Sequence, residues 1–216
     1  VTCSTNAERS LVRMAGDAAS RAIGSAEQGW RVLRRWAGRH AGFFTTRQAL
    51  RTGCAARVRD GLGDGSVTRA GTDGLLRLAG WPEGPLDEYA MWSAWFDGAA
   101  VVSHHSAAEL HGLGRLRPRF LHLSVRAGHP QAPPRLVVLR RALTGAEVES
   151  AGPFLVTTPV RTVLDLAEAG IGQAALNEVV ADAVAIDRCA GREISDAGAG
   201  LAPRAARRVY RALAVA

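Results

Sequence analysis

Lysine is missing altogether: all 27 basic residues of the 216-residue chain are arginine. Beside so much Ala and Gly, this reads as the codon bias of a GC-rich genome, so the arginine count alone is no sign of function. Cysteine is scarce. Cys3, Cys54 and Cys189 stand far apart and are odd in number, which fits neither a disulfide framework nor a zinc knuckle and makes a reducing, cytoplasmic setting the expectation. No stretch approaches the roughly 20 apolar residues of a membrane span. Nor is there a charged segment followed by an apolar run and a small-residue cleavage site. What is present suffices for packed cores: 47% of residues are apolar, with five Trp among them, an ordinary globular composition.

The charge is unevenly placed. Residues 1–80 hold thirteen Arg against six acids, a net of +7, and residues 81–216 hold fourteen of each, a net of zero. A basic domain beside a neutral one is the footprint of a nucleic-acid-binding module joined to something else. A solvated Arg-rich face is the plainer alternative.

Residues 1–27 are Ala, Ser, Gly and Arg with little periodicity and are expected to form a loose leader, with Met14 as an alternative initiator. From Trp30 the pattern sharpens. Trp30, Leu33, Trp36 or Ala37, and His40 recur at helical spacing, while Arg31, Arg34, Arg35 and Arg39 point elsewhere. Gly42 ends that helix, and Phe43-Phe44 reads as a short apolar link. Thr45 with Gln48 three residues later has the form of a capping box before a brief second helix. A third helix runs from Ala55 to Leu62, and Ser66-Val67-Thr68-Arg69 and Leu75 to Leu78 are two short strands around a Gly-Thr-Asp-Gly turn. Three helices and a hairpin within residues 28–80 give the order of a winged helix-turn-helix DNA-binding domain, whose third helix enters the major groove. A hairpin residue such as Arg69 would lie along the phosphate backbone. On the third helix Val58 and Leu62 define the buried side and Ala56 and Asp60 the most exposed one, a poor surface for reading bases. Gly61 and Gly63 each weaken the helix by up to ~1 kcal/mol relative to Ala.

Trp81 to Pro85 is turn-rich and is expected to separate this domain from a larger one, residues 86–216. Leu86, Tyr89, Trp92 and Phe96 then make an aromatic stripe at helical spacing, read as core rather than a stacking platform. Ala99 to Val102 is strand-like and leads into a helix beginning around Ser103 or Ser106. Phe120 to Val125, Leu136 to Arg140 and Phe154 to Thr157 are further strands. Thr158 caps a helix with Pro159 at its first position, and helices carrying Leu176, Val179, Val180 and Ala183, then Pro203 to Ala214, follow. Antiparallel strands with helices before and after imply an α+β fold. Charge is segregated here too. Seven Arg (115, 117, 119, 126, 135, 140, 141) lie between Glu109 and Glu147 without an acid, and residues 147–196 carry nine acids against three Arg. These stretches either pair with each other or leave a basic strand surface for an acidic partner or nucleic acid.

The densest polar cluster runs from Ser103 to His111. In a helix, His104, Ala108 and His111 share a face, which raises a metal or acid–base role. A zinc site needs a third and usually a fourth ligand, and no Cys or carboxylate stands nearby at matching spacing. Ser106 with Asp165 is conceivable as a nucleophile and its orienting acid, but a capping box from Ser106 to Glu109, with the histidines satisfying buried backbone groups, accounts for the same residues. The glycines at 61, 63 and 65 follow a helix rather than a strand and fail as a phosphate loop, and so do Gly198 and Gly200. No catalytic residue, metal site or cofactor is expected.

Three segments together resemble the AbiE-type antitoxins, the transcriptional regulators of type IV toxin–antitoxin (abortive infection) systems. They are Gly42-Phe43-Phe44-Thr45-Thr46 in the first domain, Ser-His-x-Ser-Ala-Ala-x-Leu-His-Gly-Leu at 103–113, and Thr-Thr-Pro-x-Arg-Thr-x-Leu-Asp-Leu-Ala at 157–167. The resemblance covers roughly residues 28–185. It implies a winged helix that binds inverted repeats in its own promoter and represses it, and a larger domain that counters a nucleotidyltransferase-like toxin without needing a stable complex. It places DNA contacts at Arg57, Arg59 and Arg69, with Arg47 on the second helix as a phosphate contact. The alternatives are a protein-interaction module with a vestigial winged helix, or a nuclease-related protein lacking its catalytic domain.

Overall fold

The computed structural model describes residues 24–126, 135–185 and 189–216; most of the expected leader lies outside them. The chain divides into two compact units, one ending at Trp95 and one running from Phe96 to Ala216. The architecture is α+β.

The first unit opens with α1 (residues 24–38), already helical ahead of Trp30. Its buried residues Trp30, Leu33 and Ala37 are three and four apart, and Arg31, Arg34, Arg35 and Arg39 are exposed, as the helical period requires. Gly29 lies where α1 passes close to the backbone of Thr52: a Cβ there would stand 1.9 Å from the Thr52 carbonyl oxygen. Gly42, at φ +84°, lies against Trp81, whose Cγ would be 2.8 Å from an added Cβ. Position 42 therefore needs glycine both for its backbone and for its missing side chain.

Phe43-Phe44, read from the sequence as a link, belongs to a strand, β1 (Phe43–Thr45). Three residues are too few to display the two-residue period. α2 (Thr46–Arg51) has the full capping box: the Thr45 N–H donates to Gln48 Oε1 at 2.8 Å and the Gln48 N–H to Thr45 Oγ1 at 3.2 Å. α3 (Ala55–Asp64) buries Val58 and Gly61, and Gly65 closes it in the left-handed region at φ +80°. β2 (Val67–Arg69) and β3 (Leu75–Leu78) form the expected hairpin, Val67 opposite Leu78 and Arg69 opposite Leu76. β1 pairs antiparallel with the other side of β3, Phe44 opposite Leu76, giving the order β1-β3-β2. The core beneath comprises Trp30, Leu33, Ala37, Phe44, Ala49, Cys54, Val58, Val67 and Leu76.

α4 (Asp87–Trp95) packs Ala90 and Ala94 on Phe43. The Gln48 amide donates to the Ala94 carbonyl at 3.0 Å. Arg77 binds Asp87 at 2.8 Å, donates to the carbonyls of Ala41 and Pro82, and covers the Phe43 ring at 4.4 Å. The turn-rich stretch 81–85 is thereby held within the first compact unit, which extends through α4.

The second unit is built on a five-stranded sheet of β4 (Val101–Val102), β5 (Leu121–Val125), β6 (Leu136–Arg140), β7 (Val148–Ser150) and β8 (Leu155–Thr157). Their order across the sheet is β6-β5-β4-β8-β7. The expectation of antiparallel strands is corrected: β5–β6 and β4–β8 are parallel, β4–β5 and β7–β8 antiparallel, so the sheet is mixed. Consecutive strands suggest a hairpin from sequence, but β5 and β6 run parallel, with Leu121 opposite Leu136. β7, three residues long, has no sequence signature of its own. α5 (His104–His111) follows β4, and α6 (Pro159–Ala169) follows β8 with the expected Thr158 cap and Pro159 at its start. α7 (Gln173–Ala185), α8 (Gly191–Gly198) and α9 (Pro203–Leu213) complete the unit. α8 lies in a stretch where the residue pattern pointed to no helix. Val163, Leu166, Leu176, Val179, Val180, Ile194, Val209 and Ala212 are completely buried at the centre of this helical layer.

Candidate nucleic-acid interface and the buried motif cluster

The four arginines assigned to DNA are all exposed and belong to the first unit, but their surroundings differ. α3 presents Ala56, Arg57, Arg59, Asp60 and Gly63 on its outer side, because Val58 and Gly61 are turned inward. Arg59 on α3 and Arg69 at the end of β2 have no carboxylate within ion-pair distance among the described residues. Arg57 turns toward α1: its guanidinium is 3.6 Å from Glu27 and lies over the Trp30 ring at 5.1 Å. Arg47 donates to the Trp95 carbonyl at 3.0 Å and so helps close α4. Sequence spacing could not anticipate either engagement, since the partners are 30 and 48 residues away. Arg34, Arg35 and Arg39 add exposed positive charge from α1.

The two segments of the second unit that looked chemical pack against each other as one buried cluster. Ser103 and His104, at the junction of β4 and α5, are 0% and 4% exposed. His104 holds φ +53°, a left-handed conformation that costs a side-chain-bearing residue on the order of 1–3 kcal/mol. The Ser124 hydroxyl donates to Ser103 Oγ at 2.8 Å, and Ser103 Oγ is 3.0 Å from His104 Nδ1. The Ser103 proton then points to Nδ1, leaving a neutral imidazole as acceptor. Burial, then the charge of Arg141 and the neighbouring His122, His105 and Arg161, push His104 down to about 3. This holds although Asp165 Oδ2 is only 3.9 Å away.

Asp165 is completely buried on α6. Its Oδ1 accepts from Arg161 at 2.5 Å and 3.0 Å, with Arg141 at 3.6 Å, while Oδ2 has no hydrogen-bond partner among the described residues. Burial raises the carboxyl above its usual range, against the opposing pull of Arg161 and Arg141. Arg161 also reaches Glu147 at 3.0 Å and Glu168 at 3.4 Å, and Arg141 reaches Glu168 at 2.7 Å. Arg115 pairs with Glu178 at 2.6 Å. Part of the segregated charge is thus paired within the unit, while Arg117, Arg119 and Arg140 have no carboxylate within ion-pair distance among the described residues.

The remaining motif residues are structural joints. Ser106 does not cap a helix. It lies within α5, 1% exposed, and its Oγ accepts the His122 N–H at 3.0 Å. His111 Nε2 is 2.7 Å from the Thr157 carbonyl oxygen, so one histidine satisfies a buried backbone group across the two segments. Gly112 ends α5 at φ +70°, and the Gly114 N–H donates to Asp182 on α7 at 2.7 Å. Among the described residues no group of three or more His, Cys, Asp or Glu is placed to hold a metal. No described helix is long and apolar enough to cross a membrane.

No family model and no curated protein matches this chain. A solved structure, the RV2827C protein from Mycobacterium tuberculosis, is similar over 84% of this chain and 77% of its own, with a TM-score of 0.53 and 17% sequence identity. At that identity the likeness is one of fold: both chains share an α+β architecture.

Proposed function

We propose that the first unit is a winged helix-turn-helix and that the protein is a DNA-binding transcriptional regulator. The observation that carries this reading is the sequence α1-β1-α2-α3-β2-β3 closed by the sheet β1-β3-β2. It sets α3 outward beside a hairpin, with Arg59 and Arg69 exposed on them. In that arrangement α3 enters the major groove and the hairpin follows the backbone. The excess +7 of residues 1–80 supplies the long-range attraction.

The motifs at 103–113 and 157–167 support the finer reading of an AbiE-type antitoxin that represses its own promoter and counters a nucleotidyltransferase-like toxin. The exposed Asp60 and the engagement of Arg57 with Glu27 favour affinity through phosphates over fine base discrimination. They also give the second reading, a protein-interaction module with a vestigial winged helix, its one specific support.

Electrophoretic mobility shift with the DNA upstream of the gene, across a salt series, tests the proposal. Affinity falls with salt as counterions are released, and Arg59→Ala or Arg69→Ala each lowers the slope by about one. Arg57→Ala has a smaller effect because that side chain is already engaged. No retardation at low salt refutes DNA binding and leaves the interaction module.

A further inference from the structure

We propose that the groove between the α6–α7 turn and α9 binds a phosphate-bearing small molecule of nucleotide size. This inference does not depend on the reading of the first unit. The groove encloses about 750 Å³, inside the ~300–1,000 Å³ range of small-molecule sites. Ala167, Ile171 and Ala205 form apolar parts of its wall, with Glu168, Arg204 and Arg208 beside them. It continues along α9 past Arg207 and Arg211.

Arg204, Arg207, Arg208 and Arg211 are spaced three, four and seven apart, so they occupy one face over roughly 10 Å of helix. Arg208 is part of the wall: it donates to the Ala167 carbonyl at 2.7 Å and to the Ile171 carbonyl, capping the end of α6. The other three are exposed, and none has a carboxylate within ion-pair distance among the described residues. Residues 197–216 contain no acid. Like charges three and four apart destabilise a helix, so this face carries a repulsion that a bound anion relieves. Arg115, Arg141 and Arg161 of the same unit have acidic partners, and the one carboxylate lining the groove, Glu168, is occupied by Arg141 and Arg161.

The chemistry selects phosphate. Guanidinium forks meet phosphate oxygens in pairs. The first turn of α9, which follows Ala202 and has no side-chain cap, adds backbone N–H donors at the same end. The arginines line a concave groove whose wall is apolar in part, at Ala167, Ile171 and Ala205, which suits a ligand with a ring or ribose behind its phosphates.

The test is calorimetric titration of the full chain with ATP, pyrophosphate and adenosine at fixed ionic strength. ATP and pyrophosphate should bind at one site and adenosine should not. Arg204→Ala and Arg211→Ala should each weaken ATP by about tenfold, roughly one charge-assisted contact, while Arg69→Ala leaves it unchanged. Three outcomes overturn the proposal. These are ATP binding that does not saturate; sulfate competing as well as pyrophosphate, which is simple screening; and binding of duplex DNA alone, with loss in the α9 variants. Mobility shift by the Arg204→Ala chain separates this result from the fate of the first unit.

Discussion

His104 should make the second unit acid-sensitive, and the size of the effect follows from its burial. The imidazole is nearly inaccessible, accepts from Ser103, and is pushed from 6.5 to about 3. Because the folded value is depressed, the unfolded chain takes up the proton first. The stabilising contribution is complete above 6.5 and is lost as pH falls toward 3. With 1.36 kcal/mol per unit, the whole span is about 5 kcal/mol, and about 2.5 kcal/mol of it disappears between pH 7 and about 4.5. His105 and His122, also lowered by burial, act in the same direction. Asp165, raised by burial, holds its proton more tightly in the folded unit and offsets part of the loss at the acid end. The probe follows from composition: all five Trp lie in residues 30–95, so tryptophan fluorescence follows the first unit and far-UV circular dichroism both. Urea titrations read by the two together isolate the second unit. His104→Asn is the informative variant, because Asn tolerates a positive φ and does not titrate. The stability gap between wild type and variant should narrow by about 2.5 kcal/mol from pH 7 to about 4.5. A gap that stays constant, or a His104 ring that titrates near 6.5 by NMR, refutes the argument.

Two further predictions concern packing and paired charge. Gly29→Ala forces a Cβ against the Thr52 carbonyl and should cost the first unit about 2 kcal/mol or more, overpacking outweighing the gain in helix propensity. Gly63→Ala on α3 meets nothing within 4 Å and should stabilise the same unit by about 0.5–1 kcal/mol; urea midpoints followed by tryptophan fluorescence check both. Arg161→Met leaves Asp165 buried with its main partner gone and should destabilise the second unit by about 3–5 kcal/mol. Circular dichroism melts would reveal it, and a loss below about 1 kcal/mol would show that Arg141 alone can hold the carboxylate.

What sequence could and could not disclose divides along the range of the forces involved. The Thr45–Gln48 box, the Thr158–Pro159 start of α6 and the buried face of α7 were legible, because each is decided by residues within one or two helical turns. β1 and β7 were not, because a three-residue strand exists only through its partner: Phe44 is a strand residue because Leu76 lies beside it. The parallel pairing of β5 with β6 was hidden for the same reason. The site arginines show the limit most clearly. Exposure of Arg57 and Arg59 follows from helical period alone, yet Glu27 and Trp30, brought alongside by α1, make one a packed cation and leave the other facing solvent. In the second unit, residue types that suggest chemistry (Ser and His in the first motif) are consumed in structural joints, Ser103 to His104 at the start of α5 and His111 to the Thr157 carbonyl at the end of β8. The α9 arginines drew no attention as four ordinary residues of an arginine-only chain. Their significance arises from what the fold withholds from them, a nearby carboxylate, while it places them along a groove.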